Sequence, residues 1–122
     1  MQDQIQMLPK VELHSHLEGT INPKLFHEIA KRNNVDFDED IFDEDGGYAW
    51  TDFPSFLNAY DSVSSCLKNA KDYRDIMYEY LKDCASENVI YAETFISPDH
   101  ASDCGISYND LIRGCAKGID DA

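Results

Sequence analysis

Two short runs in this chain read as β-strands, and what lies between them restricts the sheet they can form. The first, Lys10-Val11-Glu12-Leu13-His14-Ser15-His16-Leu17, alternates polar and apolar side chains, which places successive residues on opposite faces of a strand. The second, Val89-Ile90-Tyr91-Ala92-Glu93-Thr94-Phe95-Ile96-Ser97, is rich in β-branched and aromatic residues and is closed by Pro98. It reads as a buried strand. Helical signals fill the span between them. Asn22-Pro23 is a helix start, and Leu25, Phe26 and Ile29 follow at helical spacing until Asn33-Asn34. Phe56, Tyr60, Val63 and Leu67 form a second stripe behind Pro54. Tyr73, Met77, Tyr80, Leu81 and Cys84 form a third, ending at Asn88. After the second strand, Ser107 and Asp110 resemble a capping arrangement for a last amphipathic helix carrying Leu111, Ile112, Cys115 and Ile119.

Strands separated by helices point to an α/β fold with a parallel sheet covered on its faces. Two strands cannot close such a sheet, and a complete (β/α)8 barrel needs about 250 residues. The 122 residues therefore read as the N-terminal part of a (β/α)8 TIM barrel, with about two barrel strands plus helices. The expected boundaries are a first strand over 10–17, a helical insert over 22–88, a second strand over 89–97 and a following helix over 107–120. Two strands also leave an unpaired, apolar sheet edge.

The parity of the first strand carries the chemistry. Glu12, His14, His16 and Glu18 fall on one face, and Val11, Leu13, Ser15 and Leu17 on the other. Two imidazoles two residues apart on a strand have Cα atoms roughly 6.5–7 Å apart. Their rings can converge on one ion at Zn–N distances of about 2.0–2.1 Å. Two same-face histidines followed by Gly19 look like the floor of a metal site.

Composition narrows the partners. The 24 acidic and 10 basic residues give a net charge of −14, a field that repels nucleic-acid phosphates and anionic lipid. No stretch approaches the roughly 20 apolar residues of a membrane span. The first residues lack the basic and apolar regions of a signal peptide, so a cytoplasmic location is expected. Cys66, Cys84, Cys104 and Cys115 are 18, 20 and 11 positions apart, with no C-x-x-C pair, and read as reduced thiols. Residues 35–47 hold seven carboxylates, but no register places Gly and Glu where an EF-hand needs them. That stretch reads as a solvated surface loop.

The segment Pro9-Lys10-Val11-Glu12-Leu13-His14-Ser15-His16-Leu17-Glu18-Gly19-Thr20 strongly resembles the first strand of the adenosine and adenine deaminases, which are metal-dependent amidohydrolases. The likeness continues through Asp52-Phe53, Phe56-Leu57, Tyr60-Asp61, Tyr91-Ala92-Glu93 and Ser97-Pro98, covering Leu8 to about Ala101. The resemblance implies a barrel with one zinc ion at the C-terminal mouth of its strands. His14 and His16 match the two zinc ligands of the first strand. His16 and Glu18 match positions that lie against the purine. The implied partner is a small-molecule purine nucleoside or base, with no nucleic acid and no membrane. The implied reaction is hydrolytic deamination at C6, in which a zinc-bound hydroxide attacks and ammonia leaves. The remaining zinc ligands and the catalytic residues belong to later strands in this family, beyond residue 122. None lies within the chain, which alone is expected not to be a competent catalyst.

Adenosine is the first expected substrate and adenine the second. Trp50-Thr51-Asp52-Phe53 and Ser97-Pro98-Asp99-His100 resemble bacterial proteins classed as adenosine deaminases. Glu18 and Phe95 stand where most adenosine deaminases have Asp and a basic residue, and look more like the adenine branch. A different class is a truncated, non-catalytic chain. A barrel phosphoesterase is disfavoured, because Leu17-Glu18-Gly19-Thr20 replaces its usual Thr after the histidines. Among the other polar groups, Glu12 reads as a buried polar partner deeper in the barrel. Glu93 is a carboxylate inside an apolar strand, so it must be paired. His100 reads as a surface-loop residue and His27 as structural. Phe56, Tyr60 and Tyr80 read as core, with a lid over the purine as the family's alternative.

Overall fold

In the computed structural model, which describes residues 1–122, β1 (Lys10–His16) and β2 (Val89–Phe95) form a two-stranded parallel sheet. The intervening helices make this arrangement possible, since parallel neighbours need a long crossover. Lys10 pairs with Val89 and His16 with Phe95, with irregularities after Lys10 and between Glu12 and Ser15. A short helix, α1 (Gln2–Met7), precedes β1 and buries nothing; the sequence reading did not anticipate it. The Lys10 ammonium, Nζ, donates to the carbonyls of Gln6 (3.2 Å), Leu8 (3.1 Å) and Glu87 (2.7 Å), tying the chain start to the turn before β2.

The strand stops one residue earlier than its alternation suggests. Leu17–Thr20 form one turn of 3-10 helix, which buries Leu17 and Glu18. Next, α2 (Pro23–Arg32) starts as expected: the Asn22 side chain accepts from the Leu25 amide at 2.8 Å and Pro23 takes the first turn. Its apolar stripe buries Leu25, Phe26, Ile29 and Ala30. Asn34, at a φ of 52°, reverses the chain after it, a conformation Asn tolerates better than most residues.

The acidic stretch that follows is more than solvated loop. Its carboxylates face out, but Ile41 is buried, and the Phe37 and Phe42 rings pack 4.7 and 5.9 Å from Phe26. Apolar residues interleaved with the acids anchor it to α2. His27 stacks on Phe42 with centroids 4.9 Å apart, the structural role expected of it.

Two capping boxes then start the long helices. Asp52 and Ser55 cap α3 (Phe53–Ser64), and Asn69 and Asp72 cap α4 (Ala70–Ser86). Each satisfies amides that the first turn leaves without partners. Asn88, at a φ of 57°, turns the chain into β2. Pro98 starts an unanticipated short helix, α5 (Pro98–Asp103), rather than a loop. The Ser107 hydroxyl oxygen accepts from the Asp110 amide at 3.1 Å and caps α6 (Tyr108–Asp121). The core lies around α4, whose Tyr73 and Ile76 share one buried cluster with Leu111 of α6 and Phe26 and Ile29 of α2.

The sheet itself is open. Val11, Leu13 and Ile90 are 57, 56 and 69 % exposed, as the expected unpaired edge requires. Openness corrects two readings. Glu12 and Glu93 are exposed rather than buried, because no neighbouring strand or helix covers them. Glu93 is nevertheless paired, accepting from the Tyr91 hydroxyl at 2.7 Å. No helix is long and apolar enough to cross a membrane.

Asp75 on α4 binds Lys71 (2.9 Å), Arg32 (2.8 Å) and Arg74 (3.0 Å). Burial alone would raise its pKa, but the bonds from Lys71, Arg32 and Arg74 outweigh it and hold the carboxyl below its ordinary 3.8. A lowered folded pKa means stability that is fully present above the ordinary value and lost as pH falls through the folded one. Melting temperature followed from pH 5 to pH 2 should therefore fall less steeply in Asp75→Asn than in the unaltered chain. Equal slopes would contradict this reading.

Candidate active site

Strand parity brings His14 and His16 together, as the alternation predicts. Their ring centroids are 5.3 Å apart. In tetrahedral coordination with Zn–N of about 2.0–2.1 Å, two imidazole centroids stand roughly 5 Å apart. The separation of the pair is close to that spacing. No cluster of three or more His, Cys, Asp or Glu side chains forms to hold a metal.

Glu18 reaches the same site by a different route. The same-face argument does not extend to it, because the strand has ended and the 3-10 turn directs its side chain inward. It is 2 % exposed. Its Oε1 accepts from the Ser97 amide at 2.9 Å and from the Tyr73 hydroxyl at 3.3 Å. Its Oε2 is buried without a partner. A buried carboxylate oxygen left unpaired is costly. Gly19 keeps the turn close to α3: a Cβ there would lie 3.1 Å from the Tyr60 ring.

His14, His16, Glu18, Gly19 and Ser97 line a cavity of about 600 Å3 together with Trp50, Phe56 and Tyr60. Phe56 and Tyr60 are thus cavity wall rather than core, while Tyr80 is buried in the core as expected. Burial and the nearby Glu18 charge push the Tyr60 phenol up to about 12. Burial and Glu18 raise Tyr73 as well. Both phenols stay protonated at neutral pH, so Tyr73 acts as a donor to Glu18. Burial and the Glu18 charge also push the Cys115 thiol up to about 11, which keeps it inert.

His100 lies on α5, 3.7 Å from the Cys104 sulfur, and does not line the cavity. The Ser97 amide and the Tyr73 hydroxyl escaped the sequence reading. Tyr73 registers only as one apolar position in a helical stripe, and a backbone amide leaves no signature. The Ser97-Pro98 pair was the one available pointer to that end of β2.

Comparison with known proteins identifies the family. The family model described as adenosine deaminase matches residues 9–122. Adenine deaminase from Vibrio parahaemolyticus is 36 % identical over 118 residues, covering 96 % of this chain and 35 % of that protein. Adenine deaminase from Rhizobium etli is 40 % identical over 112 residues, covering 92 % of this chain and 34 % of that one. The crystal structure of adenine deaminase from Arthrobacter aurescens superimposes with a TM-score of 0.81 at 32 % identity, over 92 % of this chain and 35 % of that chain. An amidohydrolase from Burkholderia ambifaria solved with bound zinc gives a TM-score of 0.82 at 29 % identity, over 99 % and 34 % of the two chains. These neighbours are amidohydrolase TIM barrels. The chain spans about a third of the length of the curated relatives it matches. With its motif, its parallel strand pair and a match over nearly its whole length, the chain belongs to the adenosine deaminase family.

Proposed function

We propose that this chain is the portion of a zinc-dependent purine deaminase that carries two zinc-ligating imidazoles, His14 and His16, and a substrate-binding carboxylate, Glu18. The observation that carries the reading is the unpaired Glu18 Oε2, buried beside a histidine pair spaced for one ion. When bound, zinc supplies a Lewis acid and an activated water for hydrolytic loss of an amino group. The chain's own residues do the rest of the local work. His14 and His16 would hold the ion through their ring nitrogens. Glu18, fixed through Oε1 by Ser97 and Tyr73, offers Oε2 to an N–H or O–H of the ligand. Trp50, Phe56 and Tyr60 form an apolar wall that a planar purine can lie against.

Free adenine is the preferred substrate in this reading, because the relatives from Vibrio parahaemolyticus and Rhizobium etli are named adenine deaminases. Adenosine remains the second reading, since a cavity of about 600 Å3 has room for a nucleoside.

The test is a chimera in which residues 1–122 replace the matching third of the Vibrio parahaemolyticus enzyme. It should release ammonia from adenine faster than from adenosine; the reverse preference would restore the nucleoside. His14→Ala and His16→Ala should each lower zinc content and reduce kcat/KM by at least about a hundredfold, beyond what loss of an outer-shell partner does. Glu18→Gln should raise KM about tenfold, the loss of one charge-assisted hydrogen bond. An inactive but folded chimera would favour the non-catalytic alternative, and undiminished zinc content in both histidine variants would remove the metal assignment.

A further inference from the structure

The two imidazoles share a third ring. Phe95 is the register partner of His16 across the parallel pair, so its side chain rises from the same face of the sheet. Its ring lies 4.6 Å from that of His14 at 37° and 5.6 Å from that of His16 at 29°. The three rings form a closed triangle, completed by the 5.3 Å separation of the histidines. The aromatic partners of each imidazole are the other imidazole and Phe95.

We propose that Phe95 is a positioning residue for zinc, holding both ligand imidazoles in the orientation they need before the ion arrives. The proposal rests on the zinc reading above. Its physical basis is preorganisation. A free histidine on an open strand turns about χ2, and fixing two such rings on binding costs conformational entropy. A phenyl ring packed against both removes that freedom in advance. It also gives the site an apolar flank, and the shell around a metal site governs solvent access to it. The role needs a flat, bulky side chain at the residue opposite His16, and parallel pairing alone supplies that place. Phe95 is 46 % exposed, so folding draws little on its burial and its effect on metal can be separated from its effect on stability.

The experiment is a zinc titration, against a chromophoric chelator, of the chimera in which residues 1–122 replace the matching third of the Vibrio parahaemolyticus enzyme, with thermal melting of each variant as the control for folding. Phe95→Ala should weaken zinc binding about tenfold, in the range for loss of an outer-shell partner, with an unchanged melting temperature. Phe95→Tyr, which keeps the ring, should stay within about twofold of the unaltered chimera. If Phe95→Ala binds zinc as tightly as the unaltered chimera while His16→Ala does not, the positioning role is wrong and the ligand assignment stands. Should His16→Ala also leave zinc binding untouched, the ligand assignment fails and the positioning role goes with it. Equal weakening in Phe95→Ala and Phe95→Tyr would overturn the ring-packing argument.

Discussion

Asp72→Ala should destabilise the chain by about 3 kcal/mol or more, the scale for breaking a buried charged network. Asp72 is completely buried at the start of α4. Its Oδ2 accepts from the Lys68 amide at 2.7 Å, the Asn69 amide at 3.3 Å and the Asn33 side-chain amide at 2.7 Å. Its Oδ1 pairs with the Arg32 guanidinium. Asn33 in turn donates to the Cys66 carbonyl at 2.8 Å. One carboxylate therefore joins the end of α2, the turn after α3 and the first turn of α4. Alanine leaves two backbone amides and a side-chain amide facing a dry space. Asp72→Asn should cost less, because an amide oxygen can still serve the three donors on Oδ2, and Arg32, one-third exposed, can turn to water. Urea unfolding followed by circular dichroism measures both. A loss below about 1 kcal/mol for alanine, an ordinary surface effect, would show that the network does not hold these elements together.

Gly114→Ala should destabilise by about 2 kcal/mol or more, even though alanine is the better helix former by about 1 kcal/mol. Gly114 and Gly118 lie one turn apart on the buried stripe of α6 and face α4. A Cβ on Gly114 would overlap the Ala70 carbonyl oxygen and meet the Tyr73 Cβ at 2.9 Å. One on Gly118 would meet the Arg74 carbonyl oxygen and the Met77 Cβ, each at 2.7 Å. Carbonyl oxygens inside a helix cannot swing aside, so the helices must separate. Separation also withdraws support from Tyr73, whose hydroxyl holds Glu18. The expected result is a lowered unfolding midpoint in Gly114→Ala and a comparable loss in Gly118→Ala. A midpoint at or above that of the unaltered chain would mean that the close approach of α4 and α6 is not required.

Local chemistry was legible in the sequence wherever it depends on neighbours in the chain. The pairing of His14 with His16 follows from strand alternation, and the caps at Asn22 and Ser107 follow from side chains that reach amides three residues on. Helix stops at Asn33-Asn34 and Asn88 follow from a residue that tolerates positive φ. The same local logic overran at Leu17, where alternation continues in the letters but the backbone tightens into a 3-10 turn. It also missed α1 and α5, six residues each, too short to show a period.

Glu18 marks the boundary between the two kinds of information. Its residue type and its place after the histidines came from the sequence, together with the resemblance that pointed to a purine. Its burial, its grip by Tyr73 and Ser97, and its one free oxygen came from the tertiary structure, because those partners lie 55 and 79 residues away. The same holds for Phe95 over the imidazoles, which only the register between β1 and β2 brings there. Period and capping act through hydrogen bonds spanning a few residues, so the sequence by itself determines the strands, the longer helices and the histidine pair. Which buried groups meet across the chain depends on how helices and strands pack, and that the folded structure alone decides.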